Sequence, residues 1–264
     1  MRRLVGIWDR TGKAGLHEAA LVVVAFLIYF LVRGAVIDRA DLAFENARRL
    51  IDIERSAGLY REATLQSWVI DHYWLVRALN IVYFWGHMPL IIVAAVWLWI
   101  GHRSQYVITR NAFLISGAIG VVIYWLVPLA PPRLLPETGL VDTLALYDQA
   151  SYNAQETRAF VNPYAALPSL HFGWAMLLGG VVAWVAPRRE FVVFGIAWPV
   201  AMLASIVMTG NHFIADAIAG ALVCLVGLAI AQYADRRWPY IFRRLGPPLV
   251  RTGPGRGPAR TGDG

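Results

Sequence analysis

Two histidines, a carboxylate, an arginine and a serine stand in three short segments of an otherwise apolar chain. Within Thr209–Gly220, His212 and Asp216 are four residues apart. If Gly210-Asn211 opens a helix, the two side chains share a face and can touch. A carboxylate behind an imidazole fixes its tautomer and raises its basicity, as catalytic histidines require. Titratable groups at membrane depth are costly, so their presence points to function. The second segment is Pro168-Ser169-Leu170-His171, at the start of one apolar run; the third is Ala130-Pro131-Pro132-Arg133, at the end of another.

Phosphoryl transfer is the chemistry this set suits best. An arginine fork matches phosphate oxygens and never loses its charge. A helix starting at Ser169 adds backbone N–H groups, a positive dipole end and a hydroxyl. One histidine can attack phosphorus while the other protonates the leaving oxygen, with Asp216 holding the attacking ring. No metal or other cofactor is required if cationic groups stabilise the transition state. Simpler roles exist for each part: Arg133 as an interfacial anchor, Ser169 as an N-cap, His212 and Asp216 as a buried polar pair. A metal site of His171, His212 and Asp216 is a second functional reading, although Arg133 would repel the cation. A transporter or scaffold accounts for the apolar runs but not for the clustered set.

The elements that position these groups follow from composition. Of 264 residues 58% are hydrophobic and only 16% charged, where a soluble domain carries roughly 25% charged. The apolar residues come in long runs, which implies an integral membrane protein, all-α, built as a six-helix bundle. Residues 1–17 form a basic segment, 18–233 the membrane domain and 234–264 a basic tail that reads as disordered. Spans are expected at 18–37, 78–100, 112–130, 168–186, 191–208 and 213–233. Residues 38–77 carry Leu50, Ile53, Leu59 and Leu65 at helical spacing. They fit an amphipathic helix at the membrane interface or one packed on the bundle. The polar 134–167 loop, with Glu137 and Asp142, is long enough to be a functional cover or a short interfacial helix. His87, two residues before Pro89, reads as a structural histidine bonded to a backbone carbonyl freed by the proline, with a catalytic role as the alternative. Trp74, Tyr124, Trp125 and Trp238 read as interfacial belts. The single cysteine, Cys224, excludes an intrachain disulfide.

The net charge of +7 lies at expected helix ends, implying lipid head groups rather than nucleic acid as the partner. On a six-span topology, 15 Lys and Arg fall on the side of the N-terminus and 8 on the other. Both termini are therefore expected in the cytoplasm, with Arg133, His171 and His212 at the opposite face. The Arg- and Gly/Pro-rich tail suits a GC-rich bacterial gene, and so a bacterial plasma membrane.

These motifs resemble the type 2 phosphatidic acid phosphatase (PAP2) superfamily, whose signature combines a basic Arg-Pro motif, Pro-Ser-Gly-His and Ser-Arg-x5-His-x3-Asp. Pro168, Ser169 and His171 match the second motif, and His212 with Asp216 the end of the third. The resemblance implies His212 as nucleophile, Asp216 as its orienting partner and His171 as general acid. Arg133, Ser169, Leu170 and Asn211 would surround the phosphate. Leu170 replaces a glycine, no Ser-Arg pair precedes His212, and no lysine precedes Arg133 at the usual spacing. In these departures the chain is similar to the inositolphosphotransferase (inositol-phosphorylceramide-synthase-like) branch. Arg158 is a candidate replacement cation. The resemblance thus implies a metal-independent lipid phosphatase working through a phosphohistidine, with a phosphotransferase to another alcohol as the alternative.

Overall fold

The computed structural model describes residues 15–16, 18–25, 27–28, 39–147 and 162–237. These are predominantly helical, with no strand among the described residues. In chain order the helices are α1 (Ala40–Ser56), α2 (Glu62–Ser67), α3 (Tyr73–Ile81), α4 (His87–Gly101), α5 (Arg103–Leu126), α6 (Thr143–Tyr147), α7 (Leu170–Val185), α8 (Arg189–Met208) and α9 (Ile214–Arg237). A π-helical turn, Val82–Gly86, joins α3 to α4.

Among the described residues, four rods are long and apolar enough to cross a membrane: Tyr73–Gly101, α5, α8 and α9. Helix α7 is equally apolar but has 16 residues, roughly 24 Å against a hydrocarbon core of about 30 Å. Its N-terminal Ser169 meets α9 at Gly220, six residues beyond that helix's start. Of the expected first span, residues 18–25, 27 and 28 are helical and the rest lies outside the described residues. So do Arg158, Trp238 and the tail from 238 onward.

Two span starts move furthest: the second rod begins at Tyr73 rather than 78, and α5 begins at Arg103 rather than 112. Polar side chains at 103–111 hide a helix whose buried Arg110 is paired with Glu18. Arg110 is thus not a loop charge, though the Lys/Arg bias keeps its sign without it.

Helices α7, α8, α9 and α5 make the heart of the bundle. The backbones of α7 and α9 approach closely. A Cβ on Gly220 would lie 2.0 Å from the Ser169 carbonyl oxygen, and one on Gly173 would lie 2.5 Å from that of Gly220. Only residues without a side chain let the two backbones meet there. That contact sets the His171 turn directly against the start of α9.

Helix α1 covers this end of the bundle. Ala43, Ala47 and Ile51 are buried in one cluster with Leu129, Ala130, Leu135, Ala166 and Phe213. The buried stripe is Ala43–Ala47–Ile51–Glu54, whereas Ile53 and Leu59, picked out by hydrophobic spacing, are exposed. Small alanines allow α1 to lie close on the loops, so its inner face rests on the protein itself. Tyr124 also departs from expectation. It is buried and donates to the Pro168 carbonyl at 2.9 Å, bracing the approach to α7 instead of joining an interfacial belt.

Candidate active site

The three sequence segments converge where α5, α7 and α8 end or begin. The Leu129 N–H donates to the Tyr164 carbonyl at 2.8 Å, and the Ala166 N–H to the Leu129 carbonyl at 3.2 Å. These bonds run the Pro-Pro-Arg turn alongside the chain that enters α7. The Arg133 N–H donates to the Gly210 carbonyl at 3.0 Å, joining the first segment to the third. Gly210 has φ +72°, and a Cβ there would sit 3.2 Å from that of Arg133. A glycine meets both demands of this turn. The Ser169 N–H donates to the Asp216 carbonyl at 2.8 Å, completing the triangle.

His212 precedes α9 rather than lying on it. The i, i+4 contact to Asp216 is still made: His212 Nδ1 is 3.3 Å from Asp216 Oδ2. Asp216 is fully buried, and the same oxygen accepts the Phe213 N–H at 2.9 Å. This is one arm of a capping box, in which a third-turn-position carboxylate reaches back to the helix start. With Nδ1–H donated to a carboxylate, the lone pair of Nε2 is left for chemistry. The His171 ring centroid lies 6.0 Å from that of His212, close enough for both to reach one phosphorus atom.

Arg133 is held rather than loose. Its Nε donates to Asp142 Oδ2 at 3.1 Å and one terminal nitrogen donates to Asn211 Oδ1 at 2.6 Å. The Asn211 amide donates in turn to Thr209 Oγ1 at 2.6 Å. Asn211 thus orients the arginine with its side chain. The Arg133 bonds to described side chains use Nε and one terminal nitrogen, and none uses the second. Ser169 Oγ is buried without a partner, and no side chain caps α7. The Leu170 side chain packs on Gly120 in the helix core. What Leu170 has to offer a phosphate is its backbone N–H.

The two helix N-termini here are unlike. Around α9, Phe213 N–H goes to Asp216, Ile214 N–H to Glu62 Oε1 at 2.9 Å, and Ala215 N–H to Glu54 Oε1 at 2.7 Å. Three carboxylates saturate that terminus, which leaves the α7 terminus as the one suited to an anion. Burial, reinforced by the neighbouring Glu62 charge and opposed by the Ala215 N–H, pushes Glu54 up to about 8. Sequence reasoning missed Glu54, Glu62 and the Arg133–Asp142 pair. A signal for Glu54 existed, since it continues the Ala43–Ala47–Ile51 stripe onto the buried face.

His87 is buried beside the site, its ring 5.1 Å from His171 and stacked parallel to Trp174 at 6.3 Å. The bond to a freed backbone carbonyl is absent: neither ring nitrogen has a partner. Among the described residues, no three His, Cys, Asp or Glu side chains are placed to hold a metal ion. The His171, His212 and Asp216 chelate therefore finds no support in the geometry.

A model described as the PAP2 superfamily matches residues 48–230. The chain belongs to the PAP2 superfamily. Neither the curated proteins nor the solved structures searched gave a match. Membership points to phosphatase-type phosphoryl transfer on lipid phosphates. The matched range takes in the second half of α1 as well as the later helices, so Glu54, Glu62, Arg133, His171, His212 and Asp216 all fall within the PAP2 match.

Proposed function

We propose that this PAP2 protein is a metal-independent enzyme that cleaves a lipid phosphate ester through a phosphohistidine on His212. The observation that carries the reading is the juxtaposition of the Asp216-backed His212 with His171, 6.0 Å away between ring centroids. Nε2 of His212 attacks phosphorus as the P–O bond to the lipid breaks, and His171 gives its proton to the departing oxygen. Water then attacks the phosphohistidine, returning a proton to His171 and releasing inorganic phosphate. The free nitrogen of Arg133, Ser169 Oγ and the Leu170 N–H meet the charge on the equatorial oxygens. Asn211 holds the arginine. The reading further takes six spans, both termini in the cytoplasm of a bacterium, and the site at the extracytoplasmic face.

A second reading is favoured by the charge count. Asn211 stands where a cationic ligand is usual, and Arg133 is itself partly neutralised by Asp142. A phosphodiester carries one negative charge fewer than a monoester at neutral pH. The poorer cation set thus suits transfer of a phospho-head group to an alcohol, as in the inositolphosphotransferase branch. Incubation of purified protein with radiolabelled phosphatidate or phosphatidylinositol, with and without added inositol, tests both readings. Release of inorganic phosphate from phosphatidate supports the phosphatase. Label that moves from phosphatidylinositol to inositol-containing products only when an alcohol is present supports the transferase. Turnover lost to EDTA and restored by a divalent cation contradicts both.

A further inference from the structure

We infer that Glu54 and Glu62 carry a single proton and together act as a positioning clamp on the first turn of α9; the clamp's catalytic purpose rests on the phosphoryl-transfer reading above. Both side chains are buried, at 1% and 0% exposure, under a segment that reads in sequence as surface helix. Each binds a different backbone N–H of the turn that carries Asp216: Glu62 takes Ile214 and Glu54 takes Ala215. These bonds fix the start of α9 two and three residues beyond His212. They reach it from α1 and α2, which are otherwise remote in the chain.

The two carboxylates differ in how they are satisfied. Both oxygens of Glu62 accept N–H groups, Oε1 from Ile214 and Oε2 from Arg61 at 2.9 Å. Glu54 Oε2 is buried with no hydrogen-bond partner, while Glu62, bonded to the adjacent N–H of the same turn, raises the cost of charging it. Two buried carboxylates set on adjacent N–H groups repel strongly when both are ionised. The pattern assigns the proton to Glu54, whose second oxygen has no N–H to accept. The other titratable or charged groups facing the pair are Tyr60 with Arg55 over its ring, Asp216, and His212 behind it.

Burial first, and Glu62 second, favour the neutral form of Glu54 up to about pH 8. The folded protein thus keeps a proton that the unfolded chain has released, from the ordinary carboxylate range up to that point. Stability falls as pH rises through this window and levels off above it. Loss of the proton places a second anion near Glu62 and Asp216, loosening the turn that aims His212.

The clamp makes an asymmetric prediction. Glu54→Gln keeps an acceptor for Ala215 and carries no charge, as the protonated acid does. Glu62→Gln puts a donor against one of two N–H groups. Full-length protein in lipid–detergent micelles would be compared as wild type, E54Q, E62Q and E54A, across pH 5.5 to 9.5. Thermal midpoints and trapped phosphoenzyme from radiolabelled phosphatidate or phosphatidylinositol would both be read. We expect the wild-type midpoint to fall up to about pH 8 and the E54Q midpoint to stay level. E54Q should keep near-wild-type phosphoenzyme at neutral pH and retain it at alkaline pH, whereas E62Q and E54A lose about tenfold or more. An E54Q midpoint that falls with pH like the wild type, or equal effects of E54Q and E62Q, overturns the clamp. The midpoints need no substrate, so absence of phosphoenzyme on wild type would sink the phosphoryl-transfer reading while the titration still decides the clamp.

Discussion

Two buried arginines, one near each end of α5, show how the same side chain serves two purposes. Arg110 lies roughly 24 Å along the helix from Leu126 and gives every guanidinium nitrogen a partner. Its Nε and one terminal nitrogen donate to Asn111 Oδ1, and the other terminal nitrogen donates to Glu18. Arg133, just beyond the other end, is also buried and also faces an acid and an asparagine. There one nitrogen is left over, on a side chain anchored to Asn211, the residue before His212. A charge whose valences are all filled joins two elements of the bundle. A charge held by two partners with a third position open is preorganised for a ligand, because its orientation is fixed before the ligand arrives.

Exchanging the two arginines' fates is the strongest way to break that contrast. Arg133→Ala should lower kcat/KM by about a hundred- to a thousandfold while leaving the thermal midpoint near that of wild type. Arg133→Lys should recover little, since a point charge cannot use the Asp142 and Asn211 anchors in the same way. Arg110→Ala should do the reverse, costing about 3–5 kcal/mol of stability by stranding buried Glu18, with normal turnover in the fraction that folds. Activity assays paired with thermal unfolding read both. Loss of turnover in folded Arg110→Ala protein would erase the distinction.

A finer cut removes the anchor instead of the charge. Asp142→Asn keeps an acceptor for Arg133 but not its counter-charge, so the arginine can swing. We expect about a tenfold fall in kcat, with KM changed less. Equal loss in both would mean that Asp142 touches substrate. The smallest effect on chemistry is expected at Leu170. Leu170→Ala should cost about 2–4 kcal/mol of stability through the space left against Gly120, yet alter turnover of folded enzyme only severalfold. A large loss of turnover would return its side chain to the phosphate site.

Much of this was legible in the sequence because it rests on runs and short spacings. The apolar runs marked most of the spans, and the Arg133, Ser169–His171 and His212–Asp216 segments are close to the groups the fold assembles. What escaped depends on contacts between distant segments. Glu54 and Glu62 sit in a stretch rich in solvated charge, and only the stripe of Ala43, Ala47 and Ile51 hinted that one of them points inward. The polar residues at 103–111 fell between two expected spans, because the Glu18 partner that makes Arg110 tolerable in a helix lies far away in the chain. Leu59 and Ile53 looked like a buried face, since hydrophobic spacing takes no account of how closely alanines allow a helix to dock. Asn211 could be noticed as a substitution for a cation, but its role in holding Arg133 required the turn at Gly210 to be folded.

The central claim concerns the atom that takes the phosphoryl group. Wild-type protein quenched during turnover of a radiolabelled phospholipid should carry acid-labile, base-stable label on one peptide, at His212, and His212→Ala should carry none while keeping its fold. Label elsewhere on the wild-type chain, or a labelled His212→Ala protein, would contradict the account.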